Sequence, residues 1–306
     1  MNNVSVHNIK GVFYAALSGT LYGCLAYFGF NLVNSSFSFS DMLFWRFALA
    51  TVALFPFVFK KNLWTSASLY KLGVLFFVGL FVYSLGAHFY FQAAERIGSG
   101  LAMVIFFIFP LFVILLSWII DKHTIGKGTI ASITIILIGL GLLADYEQAN
   151  INFVGLLLAL LSGVGYAIYV YISKKIKVPP ILSTFVLCFG SAVLFFFLSL
   201  YQSGGKMMPL PSSWFSVVVL GLICTLFPIL LLLKAMETIT ATKASILGVL
   251  EPLATVVIGI LFLDETITLR QWMGTGIVLA GALLVQCEPY LRAYFKTFRS
   301  SRPPVK

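Results

Sequence analysis

The same short motif occurs twice in this sequence, once in each half. The tripeptide Leu-Ser-Gly at residues 17–19 is followed by Tyr22, and it recurs at residues 161–163, followed by Tyr166. Internal symmetry of this kind indicates that the fold is assembled from two copies of one structural unit. This repetition restricts the possible architectures of the chain more than any other feature of the sequence.

A second pair of motifs extends the duplication. Residues 93–97 (Ala-Ala-Glu-Arg-Ile) resemble residues 235–239 (Ala-Met-Glu-Thr-Ile), and Pro110 and Pro252 follow at the same offset. Each copy contains about five apolar stretches long enough to cross a bilayer. Because five is an odd number, the second copy enters the membrane from the opposite side, so the two copies are predicted to be inverted relative to each other.

The composition requires lipid rather than water as the main solvent. Hydrophobic residues make up 60% of the chain and charged residues only 10%, whereas soluble domains average about 25% charged residues. Backbone amides in lipid must be hydrogen-bonded within the spanning segment, which favours helices. A β-barrel would need strands of alternating polar and apolar residues, but the apolar runs of this chain are continuous.

The predicted fold is an all-α integral membrane protein with ten transmembrane helices in two inverted five-helix repeats. Residues 1–144 form the first repeat, residues 145–288 the second, and residues 289–306 a basic cytoplasmic tail. The predicted spans are residues 11–33, 42–59, 70–94, 98–120, 127–144, 153–173, 181–201, 214–236, 241–263 and 270–287.

The positions of Lys and Arg predict the orientation of these spans. With a cytoplasmic N-terminus, the basic residues of the loops and the tail all lie inside except Arg96, Lys206 and Arg270, in agreement with the positive-inside rule. We therefore predict a multi-pass protein of the cell (inner) membrane with both termini in the cytoplasm. Retained basic loops also explain the net charge of +10, so no nucleic-acid partner is expected.

Three segments connect the sequence to a known family. They are residues 41–47 (Asp-Met-Leu-Phe-Trp-Arg-Phe), 250–253 (Leu-Glu-Pro-Leu) and 262–268 (Phe-Leu-Asp-Glu-Thr-Ile-Thr). With these motifs, the chain resembles the EamA-like family of the drug/metabolite transporter superfamily over about residues 9–288. One departure is that Lys122 in the first copy stands where the second copy has Glu265.

The resemblance implies a ten-helix transporter that moves small metabolites, often amino acids or related compounds, and often outward. It also implies a central cavity lined mainly by the first, third, fourth, sixth, eighth and ninth helices. It does not define the substrate, because substrates within this superfamily are diverse.

Glu251 is the strongest candidate for a functional group inside the membrane, where charged side chains are costly. Polar residues at helical spacing share its face of the ninth span, namely Thr242, Ser245, Gly248 and Thr255. Glu251 is predicted to bind a substrate amine or to exchange a proton. The alternative is a structural role, with the carboxylate hydrogen-bonded to a neighbouring helix.

His88 and Gln92 are further candidate substrate-binding residues, because their spacing of four places them on one face of the third span. A histidine changes its charge near neutral pH and can relay protons. The alternative is that His88 is a packing residue with satisfied hydrogen bonds.

Three tyrosines complete the predicted binding residues. Tyr22 and Tyr166 stand at matched positions of the two copies, and Tyr169 shares a face of the sixth span with Tyr166. A phenol ring can stack on a ligand and hydrogen-bond to it at the same time. The alternative for these residues is helix packing.

Arg46 and the matched prolines have predicted structural roles. The long Arg46 side chain is expected to reach the outer interface and to pair with Asp41. Pro110 and Pro252 each remove a helical hydrogen bond, so they are predicted to be the flexing points of two inverted gates.

The sequence favours a secondary-active transporter that works by alternating access. It contains no phosphate-binding G-x-x-x-x-G-K-[ST] motif, so a solute or ion gradient must supply the energy, with a proton as the candidate coupling ion. A channel or a non-transporting membrane sensor is the alternative, whereas an enzyme is disfavoured because His7, His88 and His123 are scattered. We expect a small-molecule substrate, no cofactor, no metal, and a monomer or homodimer in the bilayer.

Overall fold

The computed structural model describes residues 3–30, 32–33, 37–60, 63–122, 126–143, 152–205, 209–263 and 268–300, and its regular secondary structure is helical. We number the helical segments α1 to α10 in chain order. Those without interruption are α2 (Phe39–Lys60), α5 (Lys127–Leu143), α6 (Phe153–Lys175), α7 (Pro180–Gln202) and α10 (Leu269–Ser300). A short 3₁₀ helix, Leu63–Ser66, precedes α3.

The other segments contain a break or a change of helix type. The two parts of α1 are Asn3–Tyr22 and Cys24–Phe30, those of α4 are Ser99–Phe106 and Phe109–Asp121, and those of α9 are Ala241–Leu247 and Leu250–Leu263. A central π-helical stretch divides α3 into Leu69–Phe77, Val78–Tyr83 and Ser84–Ile97, and α8 into Trp214–Val218, Val219–Leu226 and Phe227–Thr238.

Eight of the segments within the described residues, α1 to α4 and α6 to α9, are long and apolar enough to cross a membrane. The chain is therefore a multi-span membrane protein. The α5 helix is apolar but has only 17 residues, so the number of ten spans stays a prediction. Residues 144–151, where the two predicted repeats join, lie outside the described residues, as do His123 and Glu265.

Helices α2 and α7, the second of each half, pack against each other in opposite directions. Near the start of α2, the Asp41 carboxylate accepts a hydrogen bond from the Ser199 hydroxyl near the end of α7. Near the end of α2, the Phe55 ring lies 6.4 Å from that of Phe185, near the start of α7. The equivalent helices of the two halves are thus antiparallel here.

Helices α5 and α10, the fifth of each half, also run antiparallel and approach closely at glycines. A Cβ on Gly139 would lie 2.9 Å from the Gly274 carbonyl oxygen, and one on Gly281 would lie 3.0 Å from the Ser132 carbonyl oxygen. Gly281 stands 142 positions after Gly139, and Gly274 stands 142 positions after Ser132. Exchanging the two halves therefore converts one contact into the other.

Further helix pairs show the same correspondence. Helix α1 packs on α8 and α9, and its counterpart α6 packs on α3 and α4. Helix α2 also packs on the π segment of α8, and α7 packs on that of α3. These contacts in one half thus have equivalents in the other, as expected for a bundle built from two copies of one unit.

The π segments of α3 and α8 have a common hydrogen-bonding feature. The Ser84 hydroxyl donates to the Gly79 carbonyl oxygen at 2.5 Å, and the Thr225 hydroxyl donates to the Leu220 carbonyl oxygen at 2.6 Å. In both cases the acceptor lies five residues earlier, the spacing of a π turn. Such segments are rare and are frequent at functional sites.

Helices α4 and α9 are interrupted next to the matched prolines. Because Pro110 and Pro252 have no N–H, the regular helical ladder cannot continue through them. The Leu111 N–H instead donates to the Ile108 carbonyl oxygen, and the Glu251 N–H donates to that of Gly248, both at 2.9 Å. These bonds span three residues rather than four, so the chain tightens into a turn.

The glycines of the repeated Leu-Ser-Gly motif pack directly on these turns. A Cβ on Gly163 would lie 2.9 Å from the Phe106 carbonyl oxygen, and one on Gly19 would lie 3.1 Å from the Gly248 carbonyl oxygen. Small residues allow helix backbones to approach closely in membranes. The motif therefore places α6 against the turn of α4, and α1 against the turn of α9.

Candidate functional site

A cavity of ≈ 60 Å³ lies beside these turns, where the two halves meet. Much of its wall is aromatic, with the rings of Tyr22, Tyr83, Tyr90, Phe91, Phe106 and Tyr166. Among the described residues, the charged side chains in the wall are Arg46 and Glu251, and Ser162 adds a hydroxyl group. An apolar cavity with a few polar groups is the usual form of a small-molecule site.

The cavity is formed by a slightly different set of helices from the predicted one. The first, third, fourth, sixth and ninth helices contribute as expected, but α2 contributes Arg46 and, within the described part of the chain, α8 contributes no lining residue. At this level the Thr225 hydroxyl of α8 binds the Arg46 side chain, and Arg46 in turn lines the cavity.

The tyrosines form a connected cluster around the cavity. The hydroxyl groups of Tyr22 and Tyr83 are 3.1 Å apart. The ring of Tyr166 packs edge-on against Phe109, with centroids 4.7 Å apart. Tyr169 is fully buried behind this layer, 4.8 Å from the Tyr83 ring, so of the three predicted tyrosines two line the cavity and Tyr169 supports them.

Arg46 is buried and points into the bundle, so the expectation that it reaches the outer interface is wrong. Its side chain is only 3% exposed, and its Nε donates to the Thr225 hydroxyl at 2.5 Å. The predicted pairing with Asp41 is also wrong, because that carboxylate accepts hydrogen bonds from Ser38 and Ser199. The π turn at Thr225 provides the polar anchor that holds the guanidinium inside.

Glu251 lies at the first turn of the second part of α9, directly after the interruption. The predicted polar stripe of α9 is therefore divided between two helices, because the turn at Gly248 separates Ser245 from Glu251. The Glu251 side chain lines the cavity. Among the described residues, no hydrogen-bond donor or cation binds its carboxylate, which leaves the group available to a ligand or a proton.

Ser162 provides another polar group without a protein partner. Its side chain is 1% exposed and lines the cavity, and its hydroxyl has no hydrogen-bond partner within the described structure. Buried polar groups are nearly always hydrogen-bonded to protein or water. The unpaired hydroxyl therefore indicates a position where a water molecule or a ligand binds.

His88 and Gln92 lie on a different face of α3 from the residues that line the cavity. Their side chains are hydrogen-bonded to each other, at 2.8 Å between Gln92 Nε2 and His88 Nε2. The His88 ring also lies 6.2 Å from that of Phe195 on α7. The structure does not bring these two residues to the cavity, and their role in substrate binding stays a prediction.

Comparison with known proteins assigns the chain to a family. The sequence profile of the EamA-like transporter family matches residues 9–144 and residues 153–287. The chain belongs to the EamA-like transporter family. This confirms the resemblance that the motifs around Arg46 and Glu251 indicated.

Two curated relatives match most of the chain. An uncharacterized transporter of Archaeoglobus fulgidus is 28% identical over 275 residues, which is 89% of this chain and 94% of the relative. Another uncharacterized transporter of that organism is 31% identical over 247 residues, which is 78% of this chain and 86% of the relative. A protein of known crystal structure is 17% identical in sequence to this chain. The structural alignment covers 92% of this chain and 96% of that protein, with a TM-score of 0.75, so the two share a fold.

Sequence reasoning missed several residues of this EamA-like cavity. Tyr83, Ala87 and Tyr90 line it together with Gly86, at spacings of three and four along α3. That periodicity is present in the sequence, but the face with His88 and Gln92 is more polar and therefore favours the prediction of a binding site there. The inward direction of Arg46 had no sequence signal, because its anchor Thr225 is 179 residues away.

Proposed function

We propose that the protein is a secondary-active transporter that moves a small metabolite, an amino acid or a related compound, across the cell (inner) membrane by alternating access. Export is the proposed direction, as the family resemblance implies. The observation that supports this proposal is the cavity between the halves, in which a few polar groups interrupt a mainly apolar wall. Arg46, Ser162 and Glu251 converge there, and ionisable groups within membranes mark solute pathways.

The arrangement of the helices supports alternating access. Antiparallel packing of α2 with α7 and of α5 with α10 is expected if residues 1–144 and 145–288 are inverted copies. In such a protein, exchanging the conformations of the two halves moves the opening of a shared site from one membrane face to the other. Both termini and the basic tail 289–306 lie in the cytoplasm in this proposal.

The size of the cavity indicates which conformation the structure represents. A cavity of ≈ 60 Å³ holds a few water molecules, whereas ligand sites commonly measure about 300–1,000 Å³. We therefore regard this conformation as contracted. The turns at Pro110 and Pro252, next to the cavity, are the proposed flexing points that enlarge it.

The proposed energy source is a solute or proton gradient. Glu251 is the candidate site of exchange, because its carboxylate faces the cavity without a protein partner among the described residues. A carboxylate in this position can bind either a proton or a cationic group of the substrate, and competition between the two couples their movements.

Counterflow in proteoliposomes tests the proposed function. Vesicles that contain the protein are preloaded with one unlabelled solute from a panel of amino acids, nucleosides, vitamins and polyamines, and uptake of the labelled solute is measured. A carrier accumulates label transiently by exchange. A channel or a non-transporting sensor accumulates none, so the absence of counterflow for every solute would contradict the proposal.

Substitution of Glu251 is expected to abolish this exchange. Glu251→Gln keeps the size of the side chain but removes the charge, so we expect at least a ~10-fold loss of counterflow, with the protein still folded. Glu237→Gln is the matched control, because Glu237 is exposed at the end of α8. Undiminished counterflow in Glu251→Gln would refute the central role of Glu251.

A further inference from the structure

Arg46 retains unused hydrogen-bonding capacity that faces the cavity. Its Nε donates to Thr225, and Nη2 donates to the Cys224 carbonyl oxygen at a long 3.5 Å. Nη1 has no acceptor among the described residues. A guanidinium has five N–H donors in a planar fork that fits an acid group, so the anchored side chain presents free donors to a ligand.

Glu251 faces the same cavity with the opposite charge, but the two groups do not form an ion pair. Among the described residues, the ion pair within 4.0 Å joins Lys175 to Asp121 rather than Arg46 to Glu251. Arg46 is buried and Glu251 is half-buried in the cavity wall. Charges on the two groups are each incompletely compensated, and charges inside a protein are stable only when paired and hydrogen-bonded. A ligand that pairs with both groups completes the site.

Ligands with a single charge satisfy this site only in part. A cation would neutralise Glu251, but Arg46 would then remain unpaired and would repel it. An anion would bind Arg46 and be repelled by Glu251, and a neutral solute would pair with neither group. Unpaired buried charges discriminate strongly between ligands, so the pair of residues favours a molecule that carries both charges.

The other lining residues suit the same ligand. Ser162 offers a buried hydroxyl without a protein partner, which can accept from an ammonium group or donate to an acid group. Aromatic rings attract cations at their faces, and Tyr22, Tyr83 and Tyr166 surround the cavity. An ammonium group beside Glu251 would therefore also contact the tyrosine wall.

We propose that Arg46 is a substrate-binding residue and that the cavity selects a small zwitterion, whose acid group binds Arg46 and whose ammonium group binds Glu251. This inference rests on the proposed transport function. It assigns to Arg46 a role in specificity in place of the structural role that the sequence indicated.

Matched ligand sets test the inference on the purified full-length protein. One set consists of L-amino acids, the second of the corresponding amines without the carboxylate, and the third of the corresponding acids without the amine. Thermal unfolding is recorded with each compound, because a ligand that binds the folded protein raises the melting temperature. We expect the zwitterions to give the largest shifts with the wild-type protein.

Two variants distinguish the roles of the two charges. Arg46→Gln is expected to weaken binding of the best zwitterion by ~10-fold or more and to leave the matching amine unaffected or bound more tightly. Glu251→Gln is expected to weaken binding of the zwitterion as well, but to leave the matching acid, rather than the amine, unaffected or bound more tightly. Arg96→Gln is the matched control, because Arg96 lies outside the cavity and donates to the Gln92 carbonyl oxygen.

The inference is overturned if amines or acids stabilise the wild-type protein as strongly as the zwitterions, or if no zwitterion stabilises it. Equal effects of Arg46→Gln on all three sets would also overturn it. Should Arg46→Gln fail to fold, Arg46→Lys serves instead, since it keeps the charge but not the planar fork, and it should still lower zwitterion affinity selectively.

The failure of this inference is distinguishable from that of the proposed function. Counterflow of a solute that is not a zwitterion would leave the transport function intact and refute the selection by Arg46 and Glu251. Binding of a zwitterion without any counterflow would retain the binding site and refute transport.

Discussion

At the scale of single residues, equivalent positions of the two halves have acquired different chemistry. Ser18 and Ser162 occupy the same place in the repeated motif. The Ser18 hydroxyl donates to the Pro228 carbonyl oxygen at 2.7 Å, whereas the Ser162 hydroxyl faces the cavity without a protein partner among the described residues. A symmetric scaffold thus carries an asymmetric site, which would suit the zwitterion that we propose as the ligand.

This difference predicts opposite effects of the two alanine variants. Ser18→Ala removes a buried interhelical hydrogen bond and is expected to destabilise the protein by ~0.6–1.7 kcal/mol. Ser162→Ala removes a hydroxyl that the described protein leaves unsatisfied, so its stability should be unchanged or higher, while ligand affinity falls.

Thermal unfolding of both variants, with and without an added zwitterionic amino acid, measures these effects. A loss of stability in Ser162→Ala equal to that in Ser18→Ala would show that Ser162 is a packing residue. Unchanged ligand affinity in Ser162→Ala would remove it from the binding site.

The sequence revealed only part of the site at this scale. Tyr22, Tyr166 and Glu251 could be predicted, because matched positions and buried charge are visible in the sequence and all three line the cavity. The direction of Arg46 could not, since a long side chain in an apolar helix can extend to the interface or into the bundle. The direction is decided by distant contacts on α8, namely the Thr225 hydroxyl and the Cys224 carbonyl oxygen.

At the scale of helices, the interruptions of α3, α4, α8 and α9 determine where the cavity forms. The sequence predicts the breaks in α4 and α9, because Pro110 and Pro252 cannot continue a helical ladder. It did not predict the π segments Val78–Tyr83 and Val219–Leu226, because their residues are mostly apolar and none of them is a residue type that marks a π turn. Span positions were predicted well where apolar runs end at polar residues, as in α6.

The close contact between α6 and the α4 turn predicts that Gly163 cannot be enlarged. In Gly163→Ala, the new Cβ would lie 2.9 Å from the Phe106 carbonyl oxygen, and the helices must separate. We expect a loss of ~1–3 kcal/mol in stability, together with reduced counterflow, because Phe106 lines the cavity.

The control for this variant is Gly73→Ala in α3, where a Cβ meets nothing within 4 Å. That substitution should leave stability unchanged or raise it slightly, because Ala is the better helix former. Denaturation of both variants in the same detergent provides the measurement. Equal stabilities would show that the α6–α4 contact does not constrain the bundle.

At the scale of the whole molecule, the two halves share one cavity, and the proposed alternating access requires that cavity to reach both membrane faces in turn. The contact pattern that is preserved when the halves are exchanged provides the structural basis, because each conformation has a counterpart with the opposite side open. Repeated motifs and an odd number of spans per copy predicted this arrangement from the sequence. The apolar composition alone would have allowed many other bundles.

Chemical labelling from each side of the membrane tests this claim most directly. Ala87 lines the cavity, and Ala87→Cys can be made in a chain without its native cysteines. A membrane-impermeant maleimide is then applied to right-side-out and to inside-out vesicles. The account predicts that Cys at position 87 is modified in both preparations, and modification from one side only, or from neither, would contradict it.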